Sequence, residues 1–300
     1  MQALRAFADG GRDRLEAPLL ARDPVLVEAV QVRLHEAGLL DPPAVPWGLL
    51  GPATQWALRE FCRIAGLGFE GTLSREAAAA LLRPVIAPGL RPGGDLAGRV
   101  AAALLRRGDW ICRHPDCVNI VYVEGLDEAG QRIPRRADAF DDLRLLLRIT
   151  ADGRPELAGA WTATTAPGRP ATEEPAEPVG APILRRGQYR AWVIGRTAIG
   201  TGFEQEALVQ VAPLPVTRDA NRDFHRDGDP AETGHYLIDQ HGALDAPAEA
   251  AGGSAAGCLV GRAQAGHRDF MALLRRDPRW QVDNSHRFTT SLLGAAELQG

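Results

Sequence analysis

The chain has 300 residues, 45% of them apolar and 24% charged, with a formal net charge of -4. This is the composition of a globular protein of about two domains, and it gives no reason to expect nucleic acid or an anionic membrane as partner. All 34 basic residues are arginine, which excludes a lysine Schiff base, a Ser-Lys dyad and a P-loop lysine.

In chain order, residues 1–22 read as an N-terminal extension with charges throughout and no apolar core of a signal peptide. Residues 23–83 carry a helical pattern. "RDPVLVEAVQVRLHEAGLL" sets Val27, Val30, Leu34 and Leu39 at helical intervals, with Asp23 and Pro24 as a start signal and Gly38 at the expected end. In "GLLGPATQWALREFCRIAG" Thr54 is placed to cap a second helix, and Trp56, Ala57, Leu58 and Phe61 give it an apolar face. "SREAAAALL" supplies a third helix from Ser74. Residues 84–115 hold a Gly/Pro connector, "RPVIAPGLRPGGD", and an amphipathic segment, "LAGRVAAALLRRG". From 116 to 300 the texture is β: "NIVYVEG", "LRLLLRIT", "LAGAWTATT", "YRAWVIG", "ALVQVAPLPVTR" and "GHYLIDQHG" are short runs separated by Gly, Pro and Asp. "PGRPATEEPAEPVGAP" reads as a surface loop within them and "QAGHRDFMALLRRD" as a helix. The class expected is therefore α+β, a small three-helix N-terminal domain followed by a larger, mainly antiparallel β domain.

Within the helical part, Val30-Gln31-x-x-Leu34-x-x-x-Gly38-Leu39, then Gly48-Leu49-Leu50-Gly51-Pro52-x-Thr54-x-x-Ala57-Leu58-x-x-Phe61, then Gly66-Leu67 and Gly71-Thr72-Leu73, resemble the peptidoglycan-binding domain of bacterial and phage cell-wall enzymes. The resemblance covers about sixty residues and implies a glycan groove near Trp47 and Gly48. Trp47 stands where that family usually has aspartate, and Cys62 where it has glutamine.

The β part sets His241 at the end of the run "YLIDQHG" and Cys258 seventeen residues on in "EAAGGSAAGCLV". A cysteine attacks as thiolate, and an imidazole in reach supplies that state. Gly257 removes a side chain beside the sulfur, so neighbouring N–H groups can face an oxyanion. Asp239 alternates to the face of His241, where it either orients the imidazole or stands exposed. Ser254 is either a donor near the sulfur or a turn residue, and Arg262 is either a partner for a peptide carboxylate or a solvated cation. The order strand-His-Gly, then small-x-Gly-Cys, resembles the catalytic domain of L,D-transpeptidases, in particular a phage-type branch with Ser-Ala-Gly-Cys. Ala256 stands where most of the family has a second histidine, and Ala255 where it has Ser or Thr. By that resemblance Cys258 is the nucleophile, His241 the base and Gly257 the glycine beside the sulfur, and Gly242 after the histidine is expected to bind substrate. Acyl transfer or hydrolysis at a peptidoglycan stem peptide is the implied chemistry.

Other arrangements are weaker. Asp219, Asn221 and Asp223 have the one-three-five spacing of a calcium loop, but Phe224 and Pro230 stand where that loop needs Gly and Glu, so a hydrogen-bonded acidic turn is expected. Cys112 and Cys117 flank His114 and read as a disulfide, half a zinc site or two ordinary thiols; no second ligand pair follows at zinc-finger spacing. A papain-like order would require Cys258 to use His286, downstream. No cofactor is expected, peptidoglycan is the expected partner, and oligomeric state is not legible. Without a signal peptide the chain reaches the wall only by lysis or non-classical export, and is otherwise cytoplasmic. The rival class is a non-catalytic wall-binding or structural protein of phage type, in which Cys258 is a buried inert thiol.

Overall fold

The computed structural model describes residues 1–42, 47–84, 89–199 and 202–299. Its elements in chain order are α1 (Gln2–Asp9), β1 (Arg14–Glu16), α2 (Ala17–Leu20), α3 (Pro24–Glu36), α4 (Pro52–Ile64), β2 (Thr72–Ser74), α5 (Arg75–Leu81) and α6 (Leu96–Arg107). There follow β3 (Asn119–Glu124), β4 (Asp142–Ile149), β5 (Pro155–Thr164), α7 (Arg169–Glu173), β6 (Ala181–Leu184), β7 (Gly187–Ile199), β8 (Phe203–Gln210) and β9 (Leu214–Asp219). The last are β10 (Ala231–Gly234), β11 (Gln240–Gly242), β12 (Leu259–Gly261), α8 (Gln264–Arg275), α9 (Pro278–Val282) and β13 (Phe288–Gly294). The class is α+β, as the sequence predicts.

Helix starts follow local chemistry. Asp23 accepts the Leu26 N–H at 3.0 Å with Pro24 in the first turn, and Ser74 accepts the Ala77 N–H at 3.0 Å. The second helix differs from the sequence reading. Gly51 is its N-cap and Pro52 opens it, because a proline lacking an N–H suits the first turn. Thr54 is instead inside the helix and buried, accepting from Gln31 Nε2 at 2.9 Å. Residues 1–22 are packed into the helical core rather than extending from it: Leu4, Leu15 and Leu20 are buried with Leu34, Trp56 and Phe61, and β1 pairs antiparallel with β2. Their leucines recur too sparsely to give a periodic signal. Cys112 and Cys117 close the same cluster as free, buried thiols, and His114 lies 3.2 Å from Glu60.

The β part closes on itself as a barrel in the order β11-β12-β5-β4-β3-β13-β7-β8, with β11 returning to β8. Its pairs are antiparallel except β11–β12 and β3–β13. Alternation decides the two faces. Tyr122, Leu146, Trp192, Leu208, Leu259 and Phe288 turn inward and meet Phe270 of α8, while Val121, Val123, Leu143, Leu145 and Leu147 turn outward and are covered by α6. A second sheet, β10-β9-β6, stands beside the barrel. The run "YLIDQHG" gives less strand than its alternation predicts. Leu237 takes a left-handed φ of 56°, which breaks the extended chain, and only Gln240–Gly242 pair.

The helical module is bound to the barrel by a buried ion cluster. Asp41, between α3 and α4, lies 3.1 Å from Arg279, whose other edge is held by Asp277 at 2.7 Å. Trp110 Nε1–H donates to His35 O at 3.1 Å and Arg113 N–H to Gly38 O at 2.8 Å across the same junction. Burial pushes the Asp41 carboxyl up, but the charges of Arg279, His286 and Arg190 outweigh it and hold the group at about 2 instead of 3.8. A lowered carboxyl stabilises above its unfolded value and loses that contribution as pH falls toward the folded one, here from about pH 4 to about pH 2. The shift is worth roughly 2 kcal/mol. Removing one partner of a buried pair costs more, so Asp41→Asn is expected to lose about 3 kcal/mol in denaturant melts at pH 7. An unchanged midpoint at pH 7 would show that the junction contributes nothing.

Candidate functional site

The parallel pairing of β11 with β12 sets Gln240 opposite Leu259 and His241 opposite Val260. Continuing the register by one residue sets Asp239 opposite Cys258, and the Leu259 N–H donates to Asp239 O at 2.9 Å. Alternation then places Cys258, Asp239 and His241 on one face, turned away from the barrel interior that takes Leu259. Cys258 lines a groove of about 550 Å³ with Pro182, Arg218, Tyr236, Leu237 and Ala256. Its walls are the loop around α7 and the β10-β9-β6 sheet. Arg218 is held there by Glu177 at 2.9 Å and by Glu232, and lies 4.7 Å from the Tyr236 ring centroid.

Cys258 is a protonated thiol. Its S–H donates to Leu237 O at 3.3 Å, and the Asp239 N–H donates to Sγ at 3.4 Å. Burial pushes the thiol up to about 12; the Asp239 N–H opposes that shift and the Asp239 carboxylate adds to it. No hydrogen bond joins Sγ to His241 among the described residues. The imidazole is buried, and its Nδ1–H donates to Gly242 O at 3.2 Å, which leaves Nε2 as the lone-pair nitrogen. Burial lowers its pKa below 6.5 despite the Gly242 bond and the Asp239 charge. His241 is therefore neutral at pH 7.

Gly257 has φ 121°, and a Cβ there would lie 2.7 Å from Pro182 O, so only glycine fits between Cys258 and β6. Among the described residues, the backbone N–H groups of Ala256, Gly257 and Cys258 donate to no protein acceptor. Three consecutive donors thus stand uncommitted beside the sulfur.

The other expected residues are distributed differently. Asp239 is buried rather than exposed, and its Oδ1 accepts the Gln210 N–H at 2.9 Å; it makes no bond to His241. Ser254 lies in a short helical turn, donating its N–H to Ala251 O, and does not line the groove. Gly242 faces into the barrel, where a Cβ would lie 2.7 Å from His267 Cβ. Arg262 donates its N–H to Thr162 O and turns toward Ala246 O, away from the groove. Gly48 and Trp47 belong to the helical module: the Gly48 N–H donates to Gln31 Oε1 at 2.6 Å, and the Trp47 ring meets His35 edge-on at 5.7 Å. Asp219 accepts the N–H groups of Asp223 and Phe224 at 3.0 Å, and Asn221 donates to Asp223, which makes the hydrogen-bonded acidic turn the sequence predicts. Asp229, not Asn221, completes a carboxylate trio with Asp219 and Asp223. His286, which the papain-like order requires, is buried beside Phe288 with Asp41 and Arg279 at the module junction.

Sequence reasoning missed the groups behind the site. Arg144 is fully buried inside the barrel, 4.1 Å from the Phe270 ring and 5.4 Å from that of Trp161, with Nη1 3.3 Å from His267 Nδ1. It pairs with no carboxylate, and its Nε and Nη2 have no partner among the described residues. Gly261 makes room for it, since a Cβ there would lie 2.5 Å from Nη2. Burial and the Arg144 charge push His267 down to about 3, and its Nε2–H donates to Glu206 O at 2.7 Å. An arginine inside "LRLLLRIT" reads as a solvent-face residue, so no sequence signal marked it.

No family model matches the chain, and no curated protein matches it in sequence. Among solved structures, a fused Zn-dependent amidase/peptidase/peptidoglycan-binding domain-containing protein from Clostridium acetobutylicum is similar with a TM-score of 0.28 and 13% identity, over 94% of this chain and 100% of that one. A TM-score that low establishes no common fold or site. Among the described residues no helix is long and apolar enough to cross a membrane.

The geometry at Gly257 gives a direct test. Gly257→Ala is expected to cost about 1–3 kcal/mol, because alanine at that φ is strained and its methyl strikes the Pro182 carbonyl. An unchanged denaturation midpoint would mean that the groove wall yields freely.

Proposed function

We propose that this protein is a cysteine acyltransferase or peptidase of peptidoglycan stem peptides. The observation that carries the reading is that Cys258 lines an open groove on the same strand face as a neutral histidine, beside three uncommitted backbone N–H donors. The sequence resemblance of the helical module to peptidoglycan-binding domains supports the substrate class.

In this reading His241 Nε2 takes the Cys258 proton as Sγ attacks a stem-peptide carbonyl, after the S–H leaves the Leu237 carbonyl. The new C–S bond forms as the carbonyl π pair moves onto oxygen, which the N–H groups of Ala256, Gly257 and Cys258 receive. His241 then returns the proton to the departing amine, leaving a thioester. Water as acceptor releases the acid, and an amine forms a new amide. The absent second histidine is not required for these transfers.

A thiol at about 12 is ionised at pH 7 to roughly one part in 10⁵, so attack depends on coupled transfer to the imidazole. Because burial holds His241 below 6.5, kcat/KM is expected to have its acid limb below that pH and to be flat around neutrality. Cys258→Ala should abolish turnover of soluble stem peptides with the fold intact. His241→Gln should lower kcat/KM by about 10²–10⁴-fold at pH 7, with part of the loss recovered as pH rises. Full turnover by Cys258→Ala would end the cysteine reading.

One observation favours the second, non-catalytic reading: the thiol is hydrogen-bonded as a donor and strongly raised, as an inert buried cysteine is. Both readings share wall binding by the helical module. Trp47→Ala is expected to reduce co-sedimentation of the full chain with insoluble peptidoglycan by about tenfold, the scale of one aromatic contact. Equal sedimentation would remove Trp47 from the binding surface.

A further inference from the structure

The residue that sets the state of the Cys258 sulfur lies on a different strand. Gln210 ends β8 and faces the segment 234–239 that precedes His241. Its Oε1 accepts the N–H groups of Tyr236 at 3.1 Å and Ile238 at 2.9 Å. Its Nε2 donates to Ala212 O at 2.8 Å and Gly234 O at 3.1 Å, and its own backbone N–H donates to Asp239 Oδ1 at 2.9 Å. Trp192, its register partner on β7, donates Nε1–H to Ile238 O at 2.7 Å. One amide side chain therefore pins the chain on both sides of Leu237.

What is pinned is a strained turn. Leu237 has φ 56° and its side chain is 77% exposed at the groove, although it is a bulky apolar residue in the left-handed region. Its carbonyl accepts two donors, the Asp239 N–H at 3.0 Å and the Cys258 S–H at 3.3 Å, while the Asp239 N–H is shared with Sγ. Both hydrogen bonds of the sulfur thus go to the turn that Gln210 holds. Neither burial of a strand residue nor a strand ladder accounts for such a turn, since Leu237 points outward and residues 236–238 pair with no strand.

We infer that Gln210 is a positioning residue for Cys258: through the 236–239 turn it holds the sulfur protonated, against the Leu237 carbonyl and in line with the groove, until substrate displaces that bond. The inference rests on the acyl-transfer reading for its catalytic consequence but not for its effect on the thiol. The charged and titratable groups around the sulfur are Asp239 just before β11, His241 on β11, Tyr122 on β3, and Glu174, Glu177, Arg218 and Tyr236 around the groove.

The test is the rate of iodoacetamide alkylation at Cys258 against pH, read on the Cys258 peptide by mass spectrometry. It uses full-length wild type, Gln210→Ala and Gln210→Glu, with melting temperature and stem-peptide kinetics in parallel. Gln210→Ala frees the Leu237 carbonyl from the thiol, so alkylation at pH 8 should rise by at least about tenfold, the effect of one unit in thiol pKa. Turnover should move the other way, with kcat about tenfold lower and KM within about twofold. Gln210→Glu keeps the two accepted bonds and loses the two donated ones, and its alkylation profile should fall between. A Gln210→Ala profile that superimposes on wild type overturns the inference. If Gln210→Ala does not fold, a Gln210→Glu profile identical to wild type overturns it equally. A wild-type protein that turns over no stem peptide would remove the acyl-transfer reading, and the alkylation profiles would still decide the role of Gln210.

Discussion

The site depends on the parallel pairing of two three-residue strands. β11 and β12 are too short to be stable alone, and they are held because each completes the barrel, β11 against β8 and β12 against β5. Their register fixes which side chains face the groove. A slip of one residue would turn Cys258 and His241 inward and put Leu259 and Gln240 at the surface. The inner face makes that slip costly. Gln240 Nε2 donates to Thr290 at 2.8 Å, Gly242 and Gly261 lie flush against His267 and Arg144, and no larger residue fits at either glycine.

The buried Arg144 is the least expected part of that inner face. A charge without a carboxylate inside a barrel is costly, and burial lowers its pKa. Its compensation here is aromatic: the guanidinium lies over Phe270, beside Trp161, and shares a hydrogen bond with a neutral His267. The same group explains why His267 is not a candidate base. Both of its ring nitrogens are engaged, and protonating it would set two cations together. His241 differs: its Nδ1 is committed to Gly242, and its Nε2 has no partner among the described residues.

The class, the helical module and the principal strands were legible because they rest on periodicity and capping, which are local. Val27, Val30 and Leu34 face one core because they recur at helical spacing, and "LRLLLRIT" pairs as a strand. Of the candidate site, the placement of His241 and Cys258 and the need for a glycine at Gly257 were legible, and little else. Asp239 was placed on the right face by alternation, yet its carboxylate turns to the Gln210 backbone, a contact between distant strands that no local pattern encodes. Gln210 itself lies in "ALVQV", where a polar residue reads as the solvent side of a strand. The strand in "YLIDQHG" was overextended for the same reason: the left-handed Leu237 answers to long-range bonds, while its sequence neighbours alternate as an ordinary strand. The N-terminal leucines were missed because three residues on three short elements form no repeat.

In the proposed acyl-transfer reading, the resting thiol and the open groove make the protein chemically quiet until substrate arrives, since the sulfur must exchange the Leu237 carbonyl for the imidazole before it can attack. The covalent intermediate is where this account is most exposed. Full-length protein mixed with a stem tetrapeptide and quenched in acid within seconds should show, by intact mass, one added acyl group that maps to Cys258 and is released by hydroxylamine, as a thioester is. A protein that processes the peptide while no acyl group ever appears on Cys258, under rapid quench and with His241 intact, would contradict it.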